Sequence, residues 1–150
     1  MKALPRGSVL KSCVPQDVRI SGISYDSRKV KPGCLFVCWT GLRFDGHQFA
    51  AEAVERGAAA VVTERWLEGL NAAQLVVDDA REAAACLADA FYGHPSRRLT
   101  LIGVTGTNGK TTTTYLIKAI LEEAGYRVGL IGTIQYLIGR EALPAPHTTP

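Results

Sequence analysis

A glycine-rich segment between an apolar strand and an amphipathic helix is the feature that most constrains the fold of this chain. Residues 101–112 are Leu-Ile-Gly-Val-Thr-Gly-Thr-Asn-Gly-Lys-Thr-Thr. In such a turn the glycines let backbone N–H groups converge on an anion, and the following helix adds the positive end of its dipole. Lys110 supplies a cation, and the hydroxyl of Thr111 can bind Mg²⁺. The segment therefore predicts a phosphate-binding loop for a nucleoside triphosphate.

The spacing of the glycines departs from the general phosphate-loop pattern, G-x-x-x-x-G-K-[ST]. That pattern requires glycine at position 104, where this chain has valine, and the glycines stand instead at 103, 106 and 109. A glycine-rich turn can also be a simple connection between a strand and a helix. The apolar strand before the turn and the helix after it favour phosphate binding, because a functional loop requires that context.

Composition and charge narrow the class of protein. The chain has 150 residues, 47% of them hydrophobic, and a formal net charge of +3. This balance predicts a soluble globular protein that does not bind nucleic acid. The apolar runs are no longer than a strand and the N-terminus lacks a signal-peptide core, so we expect no membrane insertion and a cytoplasmic location. The 4 cysteines show no metal-ligand spacing and are expected to be small buried apolar residues.

Alternating strand-like and helix-like segments predict an α/β fold in two domains. The first would have strands near residues 18–24, 34–39, 59–63 and 74–77 and helices over 47–56 and 79–92. The second helix begins with Asp79-Ala80-Arg81-Glu82, which has the spacing of a capping box, and ends at the candidate linker Gly93-His94-Pro95-Ser96. We therefore predict a small mixed α/β substrate domain over residues 1–95 and a second domain over 96–150.

The second domain is expected to begin a parallel-sheet ATP-binding domain of the phosphate-loop type. A strand over 99–104, a helix over 111–124 and a strand over 128–133 would form one βαβ unit, followed by a hairpin. The apolar residues of the helix recur every three or four positions, as packing on a sheet requires: Leu116, Ile117, Ile120, Leu121 and Ala124. One such unit leaves strand edges uncovered, so we expect an incomplete domain and a chain that is the N-terminal part of a longer protein.

Several motifs resemble those of the Mur ligases, which use ATP to build the peptide of bacterial cell-wall precursors. The segment 105–112 is similar to their nucleotide loop. The motifs before it are Ile-Ser-Tyr-Asp-Ser-Arg at 23–28, Lys-Pro-Gly-Cys-Leu-Phe-Val at 31–37, Asp-Gly-His-Gln-Phe at 45–49 and Gly-Ala-Ala-Ala-Val-Val at 57–62. Gly-Thr-Ile at 132–134 and His-Thr-Thr-Pro at 147–150 follow in the order seen in UDP-N-acetylmuramoyl-tripeptide synthetases. The resemblance covers essentially the whole chain.

The resemblance implies roles for particular residues. The catalytic residues would be Lys110, at the β- and γ-phosphates of ATP, and Thr111, which would hold Mg²⁺. The backbone cradle for ATP would come from the neighbouring loop residues Gly106, Thr107, Asn108, Gly109 and Thr112. The uridine nucleotide of the substrate would meet Tyr25, Ser27, Leu42, Arg43 and Phe44. The muramoyl-dipeptide would meet Thr148 and Thr149, with His147 in place of the asparagine often found before that pair.

The activity implied by the resemblance is amide-bond synthesis in two steps. ATP would phosphorylate the γ-carboxylate of D-glutamate in UDP-N-acetylmuramoyl-dipeptide, and the amine of a diamino acid would displace the phosphate. The full-length enzyme is expected to be a monomer, with its remaining metal ligands and its amino-acid pocket beyond residue 150. Two alternatives stay open: the sister ligase that adds the terminal D-alanyl-D-alanine dipeptide, and a module that binds nucleotide without turnover.

Overall fold

The computed structural model describes residues 4–5, 7–15, 17–41, 44–139 and 141–144. The chain divides into two compact units, Met1–Leu99 and Thr100–Pro150. The boundary expected from the sequence, between residues 95 and 96, lies in the short 3-10 helix Pro95–Arg98 at the end of the first unit. The assignment of a substrate domain and an ATP-binding domain to the two sides of that boundary stays a prediction.

The first unit is built on a five-stranded sheet with the strand order β1-β5-β4-β3-β2. Strands β2 to β5 are parallel to their neighbours, and β1 pairs with β5 in the antiparallel direction. The strands are β1 (Val9–Cys13), β2 (Gly22–Ser24), β3 (Cys34–Val37), β4 (Ala60–Thr63) and β5 (Ala73–Val77). The carboxyl ends of four parallel strands therefore meet along one edge of the sheet, where ligands commonly bind in α/β folds.

Helices cover both faces of this sheet. On one face Phe36 and Val61 pack with Ala53 of helix α1 (Ala50–Glu55), and on the other Val37 packs with Ala83 of helix α2 (Ala80–Phe91). Because both faces are covered, every residue of β3 and β4 is buried, which explains their almost entirely apolar sequence, with Thr63 as the polar exception. This confirms the predicted mixed α/β fold, with its parallel sheet in the first unit.

The strand and helix predictions for the first unit were largely right in type but not always in extent. The predicted strand 18–24 is only Gly22–Ser24, which pairs on one side alone as an edge strand. The predicted helix 47–56 begins as the 3-10 helix Gly46–Phe49 and continues as α1. Strand β1 was not predicted, because its side chains are mostly exposed and give no apolar alternation.

The cysteine prediction was correct for only part of the set. Cys34 and Cys38 are buried, and burial raises the pKa of the Cys38 thiol to about 12. Cys86 is partly exposed, and Cys13 is exposed on the edge strand β1, so the expectation of burial was wrong for Cys13. All four are free thiols.

The second unit contains one helix and a three-stranded antiparallel sheet. The elements are α3 (Lys110–Glu123), β6 (Gly129–Ile131), β7 (Gln135–Ile138) and β8 (Glu141–Pro144), with strand order β6-β7-β8. The predicted helix is confirmed. The predicted βαβ unit was wrong: residues 99–104 form no strand, because no described strand of this unit pairs with them, and Leu101 is 71% exposed. Without that strand, β6 pairs only with β7.

The apolar side of α3 is only partly covered. Ile117 and Leu121 are half-buried, and the helix contacts β6, whose Leu130 is buried. Leu116, Ile120 and Ala124 are exposed, so the predicted packing of all five apolar residues on a sheet was wrong for these three. No helix among the described residues is long and apolar enough to cross a bilayer.

The predicted start of α2 depends on Asp79 as its N-cap, and this role can be tested. Asp79 accepts hydrogen bonds from the N–H groups of Arg81 at 2.8 Å and Glu82 at 2.9 Å, which confirms it as the N-cap. We expect Asp79→Ala to lower the free energy of unfolding of the first unit by about 1 kcal/mol, because both N–H groups lose their acceptor. Urea unfolding of the 150-residue chain measures the change.

Two variants control this experiment. Asp79→Ser should recover most of the loss, because a serine oxygen caps a helix nearly as well. Asp78→Ala removes a neighbouring exposed carboxylate that does not cap the helix, and should leave stability unchanged. Equal losses in the Asp78 and Asp79 variants would contradict the capping role.

Candidate functional site

The glycine-rich loop leads directly into α3. Residues 106–109 are a series of bends, and Lys110 is the first residue of the helix. Gly109, the N-cap, has φ +76°, a left-handed conformation that glycine adopts without strain. A Cβ on Gly109 would meet no atom within 4 Å, so the requirement for glycine here is conformational rather than steric.

The backbone of this loop is available to a ligand. Residues 105–110 are exposed, and in the described part of the chain the N–H groups of residues 106–109 have no acceptor from protein. Lys110 bends back over the loop, and its Nζ donates a hydrogen bond to the carbonyl of Gly106 at 2.5 Å. Of the predicted cradle residues, Gly106 thus contacts the ammonium group of Lys110 directly.

The threonines of the first helical turn differ in environment. Thr111 is half-buried and Thr112 is exposed. The hydroxyl of Thr114 donates to the carbonyl of Thr111 at 2.8 Å, which is a local bond within the helix. The described residues contain no group of three or more His, Cys, Asp or Glu side chains that could hold a metal. The hydroxyl of Thr111 remains the candidate magnesium donor among the predicted site residues.

In the first unit, aromatic residues follow two neighbouring strands at their carboxyl ends. Tyr25 follows β2 and Trp39 follows β3, with ring centroids 5.5 Å apart and a tilt of 35° between the rings. Tyr25 also lines an open cleft of about 380 Å³ together with Ser24, Asp26, Lys29 and other residues along β2. Phe44 is 71% exposed, so it does not belong to the core.

A tight turn links Trp39 to Phe44. Thr40 and Asp45 form an antiparallel bridge, and the N–H of Gly41 donates to the carbonyl of Phe44 at 2.9 Å. Leu42, Arg43, His147, Thr148 and Thr149 lie outside the described residues. The predicted contacts of these five residues stay predictions.

The side chain of Ser27 occupies a different environment from that of Tyr25. Ser27 is 7% exposed, and its hydroxyl donates to the carboxylate of Glu52 in α1 at 3.1 Å. The flanking residues Asp26 and Arg28 form a two-pronged ion pair with both contacts at 2.9 Å. The Arg28 guanidinium holds the pKa of Asp26 below its usual range. A ligand contact by the Ser27 hydroxyl would have to share or replace the bond to Glu52.

The hydrogen-bond network around Asp45-Gly46-His47 was not predicted from the sequence. His47 was predicted as a helix-start residue, yet its ring is only 1% exposed. Gly46 lies against Trp39, and a Cβ there would come within 2.9 Å of the Trp39 carbonyl oxygen. Arg65 and His47 both donate hydrogen bonds to Asp45 and hold its pKa far below the usual range, so Asp45 is a carboxylate. The signal in the sequence was the Asp-Gly-His motif itself.

Two family models match the chain on either side of the unit boundary. The model for the Mur ligase family, catalytic domain, matches residues 19–92, and the model for the Mur ligase middle domain matches residues 104–150. The chain belongs to the Mur ligase family. The resemblance found in the sequence motifs is therefore confirmed, and the matched segments contain both the Tyr25 region and the glycine-rich loop.

Individual Mur ligases are similar over most of this chain. The UDP-N-acetylmuramoyl-L-alanyl-D-glutamate--2,6-diaminopimelate ligase of Syntrophomonas wolfei is 54% identical over 137 residues, which are 91% of this chain and 28% of that ligase. A solved structure of a ligase with the same description is 31% identical with TM-score 0.67, over 87% of this chain and 27% of that one. The MurF ligase of Thermotoga maritima in complex with ADP is 33% identical with TM-score 0.55, over 73% and 25% of the two chains. This Mur ligase chain thus spans under a third of each relative.

Two glycines of the loop give a matched test of its geometry. Neither Gly103 nor Gly109 would place a Cβ within 4 Å of another atom, but only Gly109 has a positive φ. We expect Gly109→Ala to destabilise the start of α3 by about 1 kcal/mol, the cost of a left-handed alanine, and Gly103→Ala to have little effect. Amide hydrogen exchange in α3 measures the difference. Equal protection in the two variants would contradict a conformational role for Gly109.

Proposed function

We propose that this chain supplies the uridine-nucleotide-binding unit and the ATP phosphate loop of a ligase that joins 2,6-diaminopimelate to UDP-N-acetylmuramoyl-L-alanyl-D-glutamate. The observation that supports this most is the exposed glycine loop at the start of α3, with Lys110 over it, in a chain 54% identical to a ligase of that name. The reaction would form an acyl phosphate on the γ-carboxylate of D-glutamate and release ADP. The amine of diaminopimelate would then displace inorganic phosphate and form the amide.

The geometry of the loop supports ATP as the nucleotide. The ammonium group of Lys110 already bonds an oxygen inside the loop, and phosphate oxygens would replace the Gly106 carbonyl as its partner. The free N–H groups of residues 106–109 would bind the same phosphates, next to the positive end of the α3 dipole. The ADP complex of the Thermotoga maritima ligase supports the same class of ligand.

Magnesium fits the donor chemistry of this loop. The half-buried Thr111 offers a hydroxyl oxygen, and Mg²⁺ is usually bound by one or two protein groups together with substrate phosphates and water. When bound, the ion would neutralise negative charge on the phosphates. The residues of this chain would orient the phosphate chain and exclude other geometries, which is how proteins accelerate phosphoryl transfer.

The carboxyl edge of the first sheet supports the site for the uridine nucleotide. Tyr25 and Phe44 are exposed aromatic residues, and Trp39 lies beside Tyr25, so flat apolar surfaces are available to a base. Arg43 is proposed as the diphosphate contact, and Leu42 as part of the same pocket. Thr148 and Thr149, with His147 before them, are proposed to contact the muramoyl-dipeptide.

The relatives favour one amino acid and one ligase over the alternatives. The 54% identical ligase has 2,6-diaminopimelate in its name, which favours that amino acid over lysine. A solved MurF structure from Acinetobacter baumannii is also similar, but with TM-score 0.59, against 0.67 for the diaminopimelate ligase. Intact Lys110 and Thr111 argue against a module without turnover. We further propose that the whole enzyme is a cytoplasmic monomer.

The role of Lys110 is tested by nucleotide binding. We expect Lys110→Ala to weaken ATP binding to the 150-residue chain roughly tenfold to a hundredfold, the effect of losing one charged hydrogen bond. Lys118→Ala is the matched control, because Lys118 lies two turns later in α3 and pairs with Glu122 instead. Calorimetric titration with ATP and Mg²⁺ measures both. Unchanged affinity in the Lys110 variant would contradict the phosphate-loop assignment.

Catalysis is tested in a chimera in which this chain replaces the matching segment of the Syntrophomonas wolfei ligase. The chimera should release phosphate from ATP only when UDP-N-acetylmuramoyl-L-alanyl-D-glutamate and diaminopimelate are both present. The same chimera with Lys110→Ala should be inactive although folded. A folded chimera that binds ATP but does not turn over would contradict the proposed function.

The uridine site is tested with the two tryptophans of the chain. Trp39 lies beside Tyr25 at the end of β3, whereas Trp66 stacks under Lys11 of β1, at the other edge of the sheet. We expect UDP-N-acetylmuramoyl-L-alanyl-D-glutamate to shift the indole NMR signal of Trp39 and to leave that of Trp66 unchanged. UDP alone should cause a smaller shift, because it fills part of the site. A shift of Trp66 alone would place the ligand elsewhere.

A further inference from the structure

His47 is buried at the point where the chain leaves β3 and β4. Its Nδ1 lies 2.6 Å from a carboxylate oxygen of Asp45, and its Nε2 lies 3.0 Å from the backbone nitrogen of Glu64. Glu64 directly follows β4, and Asp45 ends the turn that follows β3. The imidazole therefore connects the ends of two adjacent parallel strands.

The hydrogen bonds determine the protonation of the ring. The backbone N–H of Glu64 is a donor, so Nε2 must accept and is unprotonated. The proton is then on Nδ1, from which it is donated to Asp45, a carboxylate whose other oxygen accepts from Arg65 at 2.5 Å. With both nitrogens engaged and the ring buried, His47 has no free position from which to exchange a proton with a substrate.

The same network fixes the backbone at Trp39 and next to Phe44. The N–H of Gly46 donates to the Trp39 carbonyl at 3.0 Å, and Asp45 also accepts from the backbone N–H of His47 at 3.0 Å. Phe44 is the neighbour of Asp45, and its carbonyl bonds Gly41. Movement of Asp45 would therefore displace Phe44 and Trp39 together.

We propose that His47 is a positioning residue for the uridine nucleotide: through Asp45 and the backbone of Glu64 it holds Trp39 and Phe44 at the carboxyl edge of the sheet. This inference rests on the proposed function, because it takes that edge as the nucleotide site. Arg65 completes the arrangement by holding the outer oxygen of Asp45. The side chain of His47 itself would not touch the ligand.

The test measures binding of UDP-N-acetylmuramoyl-L-alanyl-D-glutamate to variants of the 150-residue chain at a temperature where each is folded. His47→Ala should weaken binding roughly tenfold, the affinity equivalent of one lost hydrogen bond. Arg65→Ala should weaken it less. Lys11→Ala is the matched control, since it removes the contact of a basic side chain with Trp66 at the opposite edge of the sheet, and affinity should not change.

Conservative variants separate positioning from stability. His47→Asn keeps a donor for Asp45 and His47→Gln keeps an acceptor for Glu64, so each should recover part of the affinity lost in His47→Ala. Full affinity in folded His47→Ala, despite reduced stability, would overturn the proposal and leave a structural role only. If His47→Ala does not fold, the variants His47→Asn, His47→Gln and Arg65→Ala take its place. Full affinity in all three would then overturn the proposal.

A direct measurement of the ring keeps this inference distinct from the proposed function. Nitrogen-15 NMR of His47 should show a protonated Nδ1 and an unprotonated Nε2. The opposite tautomer would overturn the positioning role of His47 even if the chain binds its ligand. If the unchanged chain fails to bind the UDP substrate, the proposed uridine site fails and the positioning role fails with it, whereas the tautomer still reports whether the network exists.

Discussion

Burial of the parallel sheet on both faces is the constraint on which the first unit depends. The strands β3 and β4 lie between α1 and α2, and all of their residues are buried. Side chains on these two strands, including the aromatic Phe36 and the polar Thr63, are closed off from a ligand, so groups that meet one must follow the strand ends. Tyr25, Trp39 and the turn up to Asp45 all lie at such ends. The chemistry of this unit is thus concentrated at one edge by the packing of its core.

Features determined by local residue types could be predicted from the sequence. The turn at Gly109, the helix starting at Lys110 and the cap at Asp79 depend on glycine φ, on spacing and on a side-chain oxygen, which are all visible within a few residues. The buried strands were visible as apolar runs. The resemblance to Mur ligases extended these local signals to a family, which the two matched segments confirmed.

Features determined by distant partners could not be predicted in this way. Strand β1 forms because it pairs with the edge of β5 in the antiparallel direction. Residues 99–104 do not form a strand, because no described strand pairs with them. His47 looked like an ordinary residue at a helix start, because its partner Glu64 is seventeen positions away. The hydroxyl of Ser27 similarly bonds Glu52, twenty-five positions along the chain. Each of these contacts depends on the fold as a whole.

The contact between Lys110 and the Gly106 carbonyl bears on the thermodynamics of the empty loop. A lysine that extends into water must surrender much of its rotational freedom when it captures a phosphate. Here the flexible stem is already folded back, and the ammonium group donates to a backbone oxygen. When an anion binds, one of its oxygens replaces the Gly106 carbonyl oxygen as the partner of the Lys110 nitrogen. Part of the side-chain entropy that binding would cost is therefore already lost when the protein folds. In return, binding must break the hydrogen bond between Lys110 and Gly106.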